Sequence, residues 1–276
     1  MATATPTATV TETTMQDLPS QLAPEIYSAM LEHAAAEAPR ECCGLLLGDP
    51  ESGQCMYLPA RNLATGDGGQ DRFTLDPQAW LDAEEFGQQV LAVVHSHPHA
   101  SANPSMADRV QCERSGLPWL IVGWPSGAMV QVDPCGWSAP LEGREFAHGV
   151  LDCYTLAQDW YRREWGLVLP DFEREDGWWE RGRGLHLYRD GLAAAGFRPV
   201  GTTQPQHGDG LLMRVVSEVE NHGAVYLGDG MMLHHLYGQL SRRERWDWNW
   251  QRRTTLVVRH ESRLQDAATL PLEAAA

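Results

Sequence analysis

Apolar residues recur at helical spacing over 24–38, where Ile26, Met30 and Leu31 share one face and small alanines follow, so the spacing predicts a helix. Short apolar runs come next. Residues 43–48 and 54–58 predict two strands around a turn at 49–53. Asp76 and Pro77 open a second helix, the acid as cap and the proline at the first helical position, running through Trp80, Leu81 and Phe86 toward Gln89. The continuous apolar run 90–94 predicts a buried strand. A helix over 105–114 closed by Gly116 and a strand over 119–123 follow. The stretch 134–144 is rich in Gly and Pro and interrupts the pattern. Beyond it the pattern predicts a helix over 152–165, another within 178–195, and strands over 211–215, 223–227, 231–236 and 254–259. The mixture defines an α/β (α+β) fold class without internal repeats.

Length and composition sharpen this picture. With 276 residues the chain has room for two domains, and the break in pattern divides it into a disordered tail at 1–20, a first domain at 21–140 and a second at 146–276. A hydrophobic fraction of 43% and 11 tryptophans suffice for cores. The first 20 residues are rich in Thr, Ala and Pro and lack the apolar segment of a secretory signal, so no signal peptide is expected. No apolar run reaches the length of a membrane span. The net charge of -16 is concentrated early, with 5 arginines against 17 acidic residues over 1–140. Neither half offers the basic face that nucleic-acid binding needs. Six cysteines without C-x-x-C spacing read as reduced thiols, and Cys153 stands alone in the second half.

Candidate chemistry begins where the 90–94 strand ends. His95 and His97 continue that strand two positions apart, so both imidazoles point to one side and can meet one metal. Asp108, a turn into the next helix, is placed to reach back toward them. Two imidazoles and a carboxylate suit zinc and leave a fourth position for water. Zinc would lower the pKa of that water toward about 7, and a carboxylate is still needed to pass its proton to the leaving amine. Glu41 is the candidate for that task, and Ser105 for a hydrogen bond to the oxyanion. Each has a plainer reading: Ser105 and Asp108 suit a helix cap with an acid in the first turn, and Glu41 an exposed acid.

Taken together these residues resemble the JAMM (MPN-plus) metalloproteases. That pattern is a Glu, then His-Ser/Thr-His, seven residues, Ser, two residues and Asp, and Glu41, His95-Ser96-His97, Ser105 and Asp108 keep its spacing. The run Cys43-Gly44-Leu45-Leu46 after Glu41 agrees as well. The resemblance covers roughly 21–140 and implies a mixed sheet flanked by helices. It also implies zinc on His95, His97 and Asp108, Glu41 as general acid/base, and Ser105 stabilising the transition state. His99 lies outside the pattern.

The second half suggests a site without metal. Cys153 follows Asp152 at a helix start, where free amides and the helix dipole favour a thiolate. A nucleophilic thiol needs an imidazole to take its proton and a polar group to orient that imidazole. His222 opens a strand, and Asp229-Gly230 marks a hairpin turn. A three-residue loop over 228–230 sets His222 and His234 on one face; a two-residue loop puts His235 there instead. The arrangement resembles the NlpC-type cysteine peptidases, papain-like α+β enzymes that cut peptidoglycan stem peptides. That resemblance covers about 146–260 and implies Cys153 as nucleophile, His222 as base and His234 as third member. One departure is that Tyr154 and Thr155 follow Asp152-Cys153, where many cellular members have Ser-Gly.

Two other features have structural and functional readings. Trp246, Trp248 and Trp250 alternate as along one strand face, for packing or for stacking on sugar. Arg162, Arg163, Arg181 and Arg183 read as a solvated helical face or as partners of substrate carboxylates. The order of the two domains resembles tail-tip assembly proteins of long-tailed phages. It implies a virion tail component assembled in the host cytoplasm, with other phage tail tip proteins and wall peptidoglycan as partners. The activities implied are stem-peptide hydrolysis, commonly between D-glutamate and diaminopimelate, and zinc-dependent processing of the chain itself or a tail partner. A non-catalytic tail assembly scaffold and a cellular JAMM isopeptidase are the alternatives.

Overall fold

Strand β1 (Cys43–Gly48) is buried along its whole length and sorts one half of the protein into layers. The computed structural model describes residues 18, 22–48, 54–64, 71–201 and 204–264, and divides into two units, Met1–Trp137 and Ser138–Ala276. Within the first unit, alternation along β1 sends Leu46 to one face, with Met30, Tyr57, Ala92, Val94, Leu120 and Val122. Leu45 and Leu47 go to the other, with Ala79, Ala83, Val93, Cys112 and Trp119. Helix α1 (Pro24–Glu37) covers the first face through Met30. Helices α2 (Gln78–Glu85) and α3 (Met106–Ser115) cover the second. The five-stranded sheet runs β2 (Cys55–Ala60), β1, β3 (Gln89–Pro98), β4 (Trp119–Trp124), β5 (Met129–Val132). Only β3 and β4 pair in parallel, joined through α3, so the sheet is mixed.

Several expectations need correction here. Helix α2 ends at Glu85 because Gly87, at φ 65, turns the chain into β3. It buries Ala79 and Ala83 and leaves Trp80, Leu81 and Phe86 exposed, since the small residues allow the closer approach to the sheet. Strand β5 was not expected; it is a short edge strand, half-buried throughout. Leu18, inside the stretch read as a tail, is buried on the α1 face, and its N–H donates to Gln131 Oε1 at 2.9 Å. The rest of that tail, residue 21 and the turn at 49–53 lie outside the described residues.

The second unit is built on an antiparallel sheet of six strands in the order β10, β9, β8, β7, β11, β6. In chain order these are β6 (Phe197–Pro199), β7 (Gly210–Met213), β8 (His222–Gly228), β9 (Met231–His234), β10 (Arg242–Arg245) and β11 (Thr254–His260). Helix α4 (Cys153–Trp165) lays Leu156, Trp160 and Tyr161 against Leu212, Val225, Leu233, Leu256 and Val258. Leu211, Met213, Ala224, Met232 and Val257 face the other way, under Trp246 and Trp250. Together the units form an α+β protein. Among the described residues no helix is long and apolar enough to cross a membrane.

The helix expected within 178–195 shrinks to α5 (Leu187–Gly191), because Gly177, Gly182 and Gly184 all take positive φ and keep the preceding chain in turns. The three tryptophans do not share a strand face. Asp247 Oδ1 accepts the N–H of Asn249 at 2.8 Å and starts a single-turn helix, α6 (Trp248–Gln251). That turn sends Trp250 onto the sheet and leaves Trp248 67% exposed beneath the Arg252 guanidinium. Of the four arginines, only Arg162 and Arg163 are helical; Arg181 pairs with Glu218 and Arg183 with Glu175 from turns.

Two candidate catalytic sites

The first site grows from the end of β3. Val93 packs on the α2/α3 face, so His95 and His97, two and four residues on, point to that face as well. His95 is fully buried, stacked on Phe73 at 4.8 Å and edge-on to Trp119 at 5.3 Å. His97 Nδ1 lies 2.8 Å from the Ser101 carbonyl; the hydrogen must be on Nδ1, which leaves the Nε2 lone pair free. The loop carrying Ser101 closes down on Gly123, where a Cβ would lie 3.1 Å from Ala102 N and 3.2 Å from Ala100 O.

Asp108 completes the group from the first turn of α3. Its Oδ2 accepts the Ser105 N–H at 2.7 Å while Ser105 Oγ accepts the Asp108 N–H at 3.1 Å, a capping box that fixes the carboxylate. Ser105 Oγ accepts that N–H as a cap and keeps its own hydrogen to donate. His95 Nε2 and His97 Nε2 are 3.1 Å apart, and each lies 3.3 Å from an Asp108 oxygen. A tetrahedral zinc with bonds of about 2.0–2.1 Å spaces its ligand atoms by about 3.3 Å. The donor set suits such an ion, with the two imidazole nitrogens at a matching separation, and these three are the candidate metal-holding group found among the described residues.

Glu41 precedes β1 by two residues. Cys43 pairs with His95, and continuing that antiparallel register sets Glu41 opposite His97 on the same face. Asn62 Nδ2 donates to the Glu41 carbonyl at 3.0 Å and holds the segment. The residue is only 5% exposed, unlike the solvated acid of the plainer reading. Burial pushes its pKa up to about 8, with His97 opposing and Asp108 adding, so the carboxyl holds a proton at neutral pH. Burial also works against the Asp108 carboxylate, but the adjacent His95 and His97 imidazoles outweigh it and hold Asp108 well below the usual range.

The second site starts at the N-terminus of α4. Asp152 Oδ1 accepts from Tyr154 N at 3.0 Å and Thr155 N at 2.9 Å, and Thr155 Oγ1 accepts the Asp152 N–H at 2.8 Å. Its Oδ2 takes Gly149 N and Arg174 Nε, each at 3.0 Å. Tyr154 donates to the Pro170 carbonyl at 2.7 Å and carries Arg174 over its ring at 5.0 Å. The residues that depart from the cellular pattern therefore brace the helix start. Cys153 Sγ lies 2.9 Å from Tyr188 Oη, and the backbone of Gly223, next to His222, hydrogen-bonds the sulfur. Burial, then the neighbouring Asp152 charge, push the thiol up to about 11, against weaker help from Tyr188 and Gly223.

His222 and His234 are brought together: His222 Nε2 is 3.1 Å from His234 Nδ1, and both rings pack against Trp250. Burial, then His234 and His235, push His222 down to about 3, so it is a neutral imidazole at neutral pH. The turn is the two-residue form, Asp229 at φ 51 and Gly230 at φ 70, with Gly228 paired to Met231. Leu227 is an extra residue on β8, and this bulge shifts the register so that Ala224 pairs with His234. His235 turns to the Gln239 carbonyl at 3.1 Å instead. No hydrogen bond joins Cys153 to His222 among the described residues; the sulfur rests on Tyr188. Tyr188, Arg174 and Glu244, the last 3.0 Å from His234 Nε2, are site neighbours that the sequence reading missed.

The chain thus carries one candidate site in each of its two units. The family of prokaryotic homologs of the JAB domain matches residues 23–134, and the NlpC/P60 family matches 143–259. The chain is 40% identical to Tail tip assembly protein K of Escherichia phage N15 over 233 residues, which span 84% of this chain and 93% of that protein. To Tail tip assembly protein K of Escherichia phage lambda it is 44% identical over 188 residues, 68% of this chain and 90% of that one. The chain belongs to the tail tip assembly protein K family. The Desampylase of Haloferax volcanii is 33% identical over 109 residues, 38% of this chain and 76% of that enzyme.

Proposed function

We propose that the protein is a phage tail tip component whose second unit hydrolyses peptide bonds in the stem peptides of peptidoglycan, with Cys153 as nucleophile. The observation that carries this is the bonded His222–His234 pair at the start of β8, beside the strand residue that touches the Cys153 sulfur. With His222 Nε2 engaged by His234, Nδ1 is the nitrogen left to take the thiol proton as the side chain of Cys153 leaves Tyr188. The thiolate attacks the scissile carbonyl carbon, the C–N bond breaks, and the amine leaves with the proton held on His222. Water, deprotonated by the same imidazole, then cleaves the thioester and restores the thiol. A mostly apolar cavity lies next to the sulfur, lined by Tyr154, Phe172, Arg174, Trp178 and Tyr188. Purified wall incubated with the wild type should release soluble stem peptides, and with Cys153→Ala should not; equal release by both would refute the assignment.

For the first unit, the reading is a zinc peptidase acting on the chain itself or on a tail partner. His95, His97 and Asp108 would hold the ion, which supplies a bound water with a pKa near about 7. In its ionised form Glu41 accepts a proton from the attacking water and delivers it to the leaving nitrogen, and the burial that raises its pKa makes that carboxylate the stronger base. Tail proteins produced with Glu41→Gln should retain uncut precursors visible by mass spectrometry; identical processing would count against this role. Likeness to tail tip assembly proteins supports a place in the phage tail, reached by assembly in the host cytoplasm, and because it spans both units it favours this reading over a cellular isopeptidase.

A further inference from the structure

We infer that Glu244 is a fourth member of the cysteine site, a positioning residue that sets the tautomers of His234 and His222 and so leaves His222 Nδ1 as the proton acceptor. This rests on the peptidase reading above. His234 Nε2 lies 3.0 Å from Glu244 Oε2. An ionised carboxylate only accepts, so Nε2 carries the hydrogen and the lone pair of the neutral ring is at Nδ1. That atom is 3.1 Å from His222 Nε2, which must then donate. The hydrogen bonds therefore run in one direction, from His222 through His234 to Glu244, and the remaining lone pair of His222 is at Nδ1.

The carboxylate is itself held. Arg242, two residues earlier on β10, donates to Oε2 from Nε at 2.9 Å and pairs through Nη2 at 2.8 Å. The Trp250 side chain adds a hydrogen bond from α6. Burial opposes the charge, but these contacts outweigh it and keep Glu244 below its ordinary range. The charged and titratable groups facing this chain are Arg242 from β10, His234 from β9 and His222 from β8, with His235 felt at His222. The anion does more than order a ring. When His222 takes the thiol proton, the positive charge is shared toward Glu244 along the same two hydrogen bonds.

A purely structural role, pinning edge strand β10 to β9, would survive an isosteric amide. Glu244→Gln keeps an accepting oxygen and removes the charge. The test is the rate of Cys153 carbamidomethylation by iodoacetamide in the full chain, read on the Cys153 peptide across pH, beside release of wall peptides. Glu244→Gln should slow modification at neutral pH by about tenfold or more and move the midpoint up by about one pH unit, while Glu244→Asp restores most of the rate. Nitrogen-15 spectra of the wild type should show His234 protonated at Nε2 and bare at Nδ1. A Glu244→Gln profile that overlays the wild type, or His234 protonated at Nδ1, overturns the inference. A Cys153→Ala protein that still releases wall peptides instead overturns the peptidase reading on which it stands.

Discussion

His234 meets His222 nitrogen to nitrogen at 3.1 Å across the β8–β9 hairpin, and the bulge at Leu227 makes the meeting possible. A two-residue turn without the bulge would present His235 to the same face, since one step of register exchanges the faces. The two histidines therefore differ in consequence although they adjoin. His234→Ala should lower wall-peptide turnover by roughly a hundredfold or more, the scale of a lost contribution to general base catalysis. His235→Ala removes a ring that bonds a carbonyl and packs on Phe146, and should cost less than about tenfold once protein that melts normally is compared. Steady-state rates of both variants decide this; equal losses would contradict the assigned register.

Tyr188 bears on the resting nucleophile. Its hydroxyl helps lower a thiol pKa that burial drives up. Tyr188→Phe should shift the midpoint of Cys153 alkylation further upward in pH, whereas an unchanged profile would mean that the contact does not stabilise the thiolate.

Glu220 contributes stability that is lost on the acid side. It is buried, and although burial raises its pKa, Arg189 at 2.9 Å and Thr255 at 2.7 Å hold it down to about 2 from 4.5. Its pKa is depressed in the folded state, so the stabilisation is complete above the unfolded value and disappears as pH falls through the folded one. Its size is on the order of 3 kcal/mol. Thermal melts should show Glu220→Gln destabilised at pH 7, with the gap from wild type closing as pH drops from 4.5 toward 2. A gap independent of pH would contradict the assignment.

The metal group makes a stoichiometric prediction. Wild-type protein dialysed against zinc should retain one ion per chain, and His95→Ala or His97→Ala none, by elemental analysis. Asp108→Asn should lose most of the ion and also loosen α3, because the same carboxylate accepts the Ser105 N–H.

The candidate metal group was legible because local rules set it. Strand alternation aligns His95 with His97, a helix cap fixes Asp108 after Ser105, and β1 pairing carries Glu41 to the same face. The cysteine site was legible at Cys153 and His222, both at element starts. Its third member depended on one inserted residue, Leu227, which has no compositional mark. Glu244 lies in Arg242–Arg245, a run with no apolar period, and Tyr188 in a segment whose glycines break the expected helix. Trp248 shows the same limit, since Asp247 capping overrides strand alternation.

The most direct test of the central claim is to identify the new termini formed when purified peptidoglycan is digested. Wild-type protein, Cys153→Ala and His95→Ala are each assayed with and without a zinc chelator, and the released fragments are sequenced by mass spectrometry. The account predicts new stem-peptide termini from the wild type and from His95→Ala, with or without chelator, and none from Cys153→Ala. Termini that persist in Cys153→Ala, or that vanish with the chelator, would contradict it.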